Sequence, residues 1–202
     1  TGNAVGGDAA GDSFSSIENL IGSNFSDHLK GDGGNNVLAG GAGGDILDGW
    51  TGSDTADYSA SSAGVTVSLL TGNAVGGDAA GDTLLSIENL IGSSQSDYLK
   101  GDNGDNVLVG GAGGDTLEGL TGNDRFVFYD GSGNDTVLDF VAGAGTDDVL
   151  DFSGNSFLNS FADFLANSSQ AGADTVIDVG GLDQLTLAGV SRASMHVDDF
   201  VF

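Results

Sequence analysis

The chain has 202 residues, among them 37 Gly, no Pro and no Cys, and its 30 acidic residues against 4 Lys and Arg give a formal net charge of −26. A compact state of that charge repels itself, and aromatics supply only 7% of the chain, so the protein is either disordered or completed by cations. The same charge argues against a nucleic-acid partner, the missing Cys removes disulfides and thiolate metal sites, and no run of eighteen apolar residues is present to span a membrane.

The chain opens on TGNAVGGDAAGD (1–12), with no basic region and apolar core of a cleavable signal peptide. The same twelve residues return at 71–82, SIENLIGS recurs at 16–23 and 86–93, and SDHLKGD (26–32) returns as SDYLKGD (96–102). Opening inside a repeated pattern suggests a fragment of a longer protein. The near-identical copies, 70 residues apart, set a first block at 1–70 and a second at 71–139, with 140–202 as a C-terminal cap. GVTVSLLTGNAV (64–75) and its truncated partner at 1–5 alternate like strands.

A shorter period lies inside each block. From Gly22 the chain divides into GSNFSDHLK, GDGGNNVLA, GGAGGDILD and GWTGSDTAD, and from Gly92 into GSSQSDYLK, GDNGDNVLV, GGAGGDTLE and GLTGNDRFV. Gly heads every unit, position six is Asp or Asn, and position eight is apolar. Nine residues suit a six-residue loop followed by a three-residue strand whose middle side chain points inward. Stacking such units buries Leu29, Leu38, Leu47, Ala56, Leu99, Leu108, Leu117 and Phe126. A buried Leu contributes only about 2 kcal/mol, while ordering the backbone costs about 1–2 kcal/mol per residue. A single apolar row loses that contest, so another interaction must assist.

Further on, DGSGNDTVL (130–138) reads as a ninth unit displaced by two residues. FLNSFADFLANS (157–168) puts Phe157, Leu158, Phe161, Phe164 and Leu165 on one helical face, and ADTVIDVGGLDQLTLAGV (173–190) reads as two strands joined at Gly180-Gly181. The chain closes on DDFVF.

Every nonapeptide loop offers carbonyls plus one carboxylate or carboxamide, without Cys and with one exposed-strand His28, and such hard donors select calcium. Two units make one turn of a coil, so loops eighteen residues apart overlie: Asp27 faces Asp45, Asn36 faces Asp54, Asp97 faces Asp115 and Asn106 faces Asp124. Stacked carboxylates repel unless a divalent cation lies between them.

GGAGGDTLE and its neighbours resemble the repeats-in-toxin (RTX) nonapeptide GGxGxDxUx, over roughly residues 16–139. The resemblance implies an all-β, calcium-bound parallel β-roll, a β-solenoid in two runs with a small helix and strand cap. It also implies sites built from positions two, four and six of one loop and positions one, three and six of the loop eighteen residues on. These sets are Ser23, Phe25 and Asp27 with Gly40, Ala42 and Asp45, then Asp32, Gly34 and Asn36 with Gly49, Thr51 and Asp54. The second run gives Ser93, Gln95 and Asp97 with Gly110, Ala112 and Asp115, then Asp102, Gly104 and Asn106 with Gly119, Thr121 and Asp124. A fifth set joins Gly111, Gly113 and Asp115 to Asp130, Ser132 and Asp135, so Asp115 serves two sites while Asp54, ending its run, serves one. The neutral Asn36 and Asn106 weaken their sites, and SNFSD and SSQSD depart from the motif by lacking its internal Gly. The GGDAAGD loops (6–12, 76–82) fit no nonapeptide, and their Asp8, Asp12, Asp78 and Asp82 read equally as calcium ligands or as a solvated acidic turn.

LTLAGVSRASMHVDDFVF resembles the uncleaved C-terminal signal of type I secretion substrates, with an ordinary capping strand as the plainer reading. The resemblance implies a module secreted from a Gram-negative bacterium, extracellular or on the cell surface, that meets the type I secretion machinery and folds on extracellular calcium. The alternatives are an adhesin or polysaccharide-binding end, or the non-catalytic tail of a secreted protease, lipase or epimerase. No GxSxG elbow is present, and His28 and His196 neighbour no nucleophile constellation, so no catalytic residue is assigned. Trp50 is expected to pack against the neighbouring run, and Lys30 and Lys100 to relieve negative charge. The amphipathic segment 157–168 lacks Lys and Arg and is expected to cap the open roll end rather than bind a membrane.

Overall fold

The computed structural model describes residues 2–3, 13–14, 17–145 and 148–202; Asp8, Asp12 and all but residues 2–3 of the strand expected at 1–5 lie outside them. The nonapeptides form a parallel β-roll of two facing sheets, each unit supplying one three-residue strand. The first sheet has eight strands, all parallel, in the order Asn19–Ile21, Val37–Ala39, Thr55–Asp57, Asn89–Ile91, Val107–Val109, Arg125–Val127, Val149–Asp151 and Phe200–Val201. The second takes the alternate units: His28–Lys30, Ile46–Asp48, then Tyr98–Lys100, Thr116–Glu118 and Asn134–Val137. Register is strict within each run, with Leu29 beside Leu47, Leu38 beside Ala56, Leu99 beside Leu117 and Leu108 beside Phe126. The apolar row is therefore two rows, one per sheet, that meet across the core.

Residues 58–88 splice the two runs into one continuous roll. In the first sheet Thr55–Asp57 pairs directly with Asn89–Ile91. In the second, Thr66–Ser68, Asn73–Val75 and Thr83–Leu85 form an antiparallel meander, whose outer strands pair in parallel with Tyr98–Lys100 and Ile46–Asp48. The 70-residue blocks are thus boundaries of sequence repetition that both sheets cross without a break.

Leu38, Leu47, Ala56, Leu99, Leu108, Leu117 and Phe126 are fully buried. Leu29 is only partly buried, because no described strand lies outside His28–Lys30. Its counterpart Leu99 is covered by Thr66–Ser68. The unit at 130–138 pairs two residues out of step, Thr136 beside Thr116 and Val137 beside Leu117, as its displaced spacing predicts.

At the C-terminal end a meander of Ser168–Ala171, Asp174–Gly180 and Asp183–Leu187 extends the second sheet. Gly180 and Gly181 turn its hairpin with φ of 102° and 70°, backbone that an L side chain rarely adopts. The helix is shorter than the apolar periodicity predicts, Phe161–Asn167, with Ser160 Oγ accepting from the Asp163 N–H as its N-cap. Upstream, Asn155 Oδ1 accepts from the N–H groups of Phe157 and Leu158 and holds them out of the helix. Leu158 and Phe164 are buried, whereas Phe157 and Leu165 are exposed. Phe164 stacks against Phe161 (5.4 Å) and packs on Phe200 (4.7 Å), so helix and terminal strand close that end of the roll together.

Candidate metal sites

Position six of each unit stands at the mouth of its strand, and the roll aligns these side chains into ladders along each edge. Asp45 Oδ1 accepts from the Asp27 N–H at 2.8 Å and Asp54 Oδ1 from the Asn36 N–H at 2.7 Å. In the second run Asp115 accepts from Asp97 (2.8 Å) and Asp124 from Asn106 (2.9 Å), each again eighteen residues below. Asp135 caps the series by accepting from the Asp115 N–H at 2.9 Å. One carboxylate oxygen of each upper Asp is thereby tied to the turn beneath. The other oxygens of Asp45, Asp54 and Asp115 are buried with no hydrogen-bond partner, although a buried carboxylate oxygen without a partner is costly.

Position one explains the invariant Gly. A Cβ on Gly40 would stand 2.2 Å from Asp45 Oδ2, on Gly110 2.3 Å from Asp115 Oδ2, and on Gly119 2.2 Å from Asp124 Oδ2. The free oxygen needs the space of the missing side chain. In the lower loops the same space also meets a carbonyl of the overlying turn. A Cβ on Gly22 would stand 2.2 Å from Gly40 O and 2.8 Å from Asp27 Oδ2, and on Gly92 2.4 Å from Gly110 O and 2.5 Å from Asp97 Oδ2. On Gly31 and Gly101 it would stand 2.7 Å from Gly49 O and Gly119 O.

Several of the expected donor residues lie against the overlying loop. Ser23 and Phe25 lie beneath Gly41 and Gly43, Gly34 beneath Gly52, Ser93 and Gln95 beneath Gly111 and Gly113, and Gly104 beneath Gly122. Asp32 and Asp102 each accept from the N–H two residues on, turning their loops. Ala42, Thr51, Ala112 and Thr121 sit in the upper loops between these glycines. In the fifth pair Gly113 bridges Gly133, and Ser132 is buried with an unpartnered Oγ. The Asp130 side chain turns out of that pair and accepts from the Ser156 N–H at 2.7 Å.

Two departures from the motif have structural explanations. Ser23 and Ser93 replace the loop glycine by closing the turn through their hydroxyls, which accept from the Phe25 and Gln95 N–H groups. Asn36 and Asn106 use their amide N–H to donate to Ile17 O (3.2 Å) and Glu88 O (2.8 Å), a bond an ionised Asp cannot make.

Burial raises the acids of the ladder. Asp115 is pushed up to about 7, first by burial and then by the neighbouring charges of Asp135 and Asp97. Asp124 and Asp135 rise to about 6, with burial again the largest cause, and Asp45, Asp54, Asp82 and Asp97 are raised for the same reason. Among the described residues no three His or acidic side chains are placed to hold a metal ion by themselves, so any cation here would rest on one or two carboxylates and on carbonyls. These hard donors, with buried free oxygens and, among the described residues, no Lys or Arg ion pair to Asp45, Asp54 or Asp115, fit calcium.

The structure also corrects the reading at four places. Asp82 is no solvated turn: it is buried, accepts from the Asp45 N–H at 2.8 Å, and takes the Tyr58 hydroxyl at 3.0 Å. GDAAGDTLL (77–85) is a nonapeptide unit after all, with Leu84 paired to Leu47. A further unit, GAGTDDVLD (143–151), follows the second run, with Leu150 beside Phe126 and Asp148 accepting from the Asp124 N–H. Asp54 does not end a ladder either, because its N–H donates to Glu88 Oε2 at 2.8 Å. Trp50, expected to pack, is 53% exposed, with Lys30 Nζ 5.8 Å above its ring. Lys30 and Lys100 do pair with acids, Asp48 and Glu118.

Residues 21–56 and 88–126 match the family model of the RTX calcium-binding nonapeptide repeat (4 copies). No curated protein matches the chain. Among solved structures, the extracellular lipase LipA from Serratia marcescens aligns with a TM-score of 0.43 at 21% identity, over 95% of this chain and 41% of the lipase. The AlgE6R3 subunit of the Azotobacter vinelandii mannuronan C5-epimerase aligns with a TM-score of 0.27 at 24% identity, over 94% of this chain and 86% of that one. The chain spans about two fifths of the lipase's length.

Proposed function

Because residues 21–56 and 88–126 are RTX calcium-binding nonapeptide repeats, we propose that this roll is a calcium-dependent folding module, completed by ions held between stacked loops. The observation that carries the proposal is the buried, unpartnered carboxylate oxygen on each of Asp45, Asp54 and Asp115, in a chain of net charge −26. The ligand sets are those given by the repeat register: carbonyls of positions two and four with the position-six side chain below, and positions one and three with the position-six carboxylate above. Calcium supplies positive charge to oxygens that hydrogen bonds leave free, and metal binding and folding become one equilibrium.

Extracellular calcium modules bind at about 10⁻⁴–10⁻³ M. At cytosolic calcium the ladder would repel itself and leave the chain unfolded and threadable. This supports a secreted module, with residues 185–202 as export signal, in a longer protein whose activity resides elsewhere. The test is circular dichroism with calcium and with excess EGTA. The expected result is a β-rich spectrum in calcium and a coil-like one in EGTA, and an unchanged folded spectrum in EGTA overturns the proposal.

A further inference from the structure

We infer that the splice between the two runs holds a cation site of its own, formed by loop 49–54 below and Ser86 and Glu88 above, and suited to calcium. The inference rests on the calcium reading of the repeats and extends it to Ser86 and Glu88, which precede the first nonapeptide unit of the second run at Gly92.

Two contacts recur between nonapeptide loops that overlie one another eighteen residues apart within a run. The position-six carboxylate above accepts from the position-six N–H below. The position-one carbonyl above also points into the space that the Gly below leaves open, beside the position-six side-chain oxygen of that lower loop. Gly22, Gly31, Gly92 and Gly101 all show the second contact. At Gly40, Gly110 and Gly119 the three nearest atoms belong instead to the Asp of the same unit.

Gly49 follows the first group. A Cβ there would stand 2.2 Å from Ser86 O and 2.6 Å from Asp54 Oδ2. Above it, Glu88 Oε2 accepts from the Asp54 N–H at 2.8 Å, the bond that an Asp makes elsewhere in the ladder. Ser86 and Glu88 therefore reproduce positions one and six of an overlying loop, although only Ile87 separates them. The extra methylene of Glu spans what the shortened loop does not.

Asp54 Oδ2 is the second, independent mark of a ligand. Asp54 has no exposed surface, its other oxygen is engaged by Asn36, and Oδ2 has no partner. It converges with the Ser86 carbonyl on one point, in a field already made negative by Glu88, Asp32 and Asp48. By the register of the repeats the carbonyls of Trp50 and Gly52 complete the lower half. A hard divalent cation is the ligand that two carboxylates and carbonyls select.

The internal duplication supplies a control. Glu18 is the residue equivalent to Glu88 in the first copy, but it is exposed and no described loop lies beneath it. Calcium stoichiometry of the full chain is measured by titration calorimetry for the wild type, Glu88→Gln and Glu18→Gln. Terbium emission sensitised by Trp50, the sole tryptophan, provides a reporter seated in the lower loop. Glu88→Gln should bind one ion fewer and lose part of the Trp50-sensitised emission, while Glu18→Gln should match the wild type. If Glu88→Gln does not fold, Asp54→Asn serves instead and should lose two ions, one from each side of its loop. Wild-type stoichiometry in Glu88→Gln, the same loss in Glu18→Gln, or a single lost ion in Asp54→Asn overturns the inference while leaving the calcium reading intact. A wild-type chain that takes up no calcium overturns both.

Discussion

Replacing Asp115 by Asn should push the protein in opposite directions with and without calcium. Asp115 is 1% exposed, accepts from the Asp97 N–H through Oδ1, and has Oδ2 facing Gly110 without a partner. Burial, assisted by Asp135 and Asp97, raises it from 3.8 to about 7. A raised acid makes the folded state bind more protons than the unfolded one between those values. Metal-free stability is therefore fully present below pH 3.8 and is lost as pH rises through 7. At pH 8 the cost of keeping Asp115 ionised is about 4 kcal/mol, at 1.36 kcal/mol per unit. Asn removes that cost and keeps the acceptor for Asp97, but buries an amide N–H beside Gly110, at about 1–3 kcal/mol. The net expectation at pH 8 in EGTA is a variant easier to fold by about 1–3 kcal/mol. It is read as a lower trimethylamine N-oxide midpoint by circular dichroism, an osmolyte that favours the compact state. At pH 5 the ionisation cost falls to about 1–2 kcal/mol, and the advantage should vanish. In calcium the order reverses, since the variant lacks one anionic ligand and should need more calcium to fold. A variant harder to fold than the wild type in EGTA at pH 8, or one with an unchanged calcium midpoint, refutes the reasoning.

Two other substitutions test the geometry. Leu99→Ala removes a fully buried side chain of the core and should cost about 3–5 kcal/mol in urea unfolding at saturating calcium. Leu29→Ala, at the same place in the repeat but on an edge strand, should cost about half as much, and equal costs would show that something covers His28–Lys30. Gly110→Ala drives a Cβ to 2.3 Å from Asp115 Oδ2 and should weaken calcium binding at least tenfold, about 1.4 kcal/mol. Gly33→Ala, whose Cβ meets nothing nearer than Thr51 Oγ1 at 3.7 Å, should leave calcium affinity unchanged.

Much of the roll is readable in one dimension because its periodicity is local. Gly, Asp or Asn, and an apolar residue at positions one, six and eight place loop, ladder and core row for eight units without a long-range contact being known. The same spacing was available at Gly77, Asp82 and Leu84, and at Gly143, Asp148 and Leu150. It is obscured there by company: the first unit is followed by Glu88 only six residues after Asp82 instead of an Asp or Asn nine residues on, and the second follows a run of irregular length. The helix is overestimated for a related reason. Phe157 has helical spacing, but Asn155 competes for its N–H, and a capping bond of that kind leaves no trace in apolar periodicity.

The repeat is legible along the chain alone: its period, its oxygen-rich loops and the charge that demands a cation. The tertiary structure alone decided where the ladders continue. Whether Asp54 ends a run or lies under another turn depends on a chain segment 34 residues away folding back over it. The Ser86 carbonyl occupies the space beside Gly49 by the backbone's path rather than by any side chain. Backbone carbonyls belong to every residue type, so only their position in space makes them ligands.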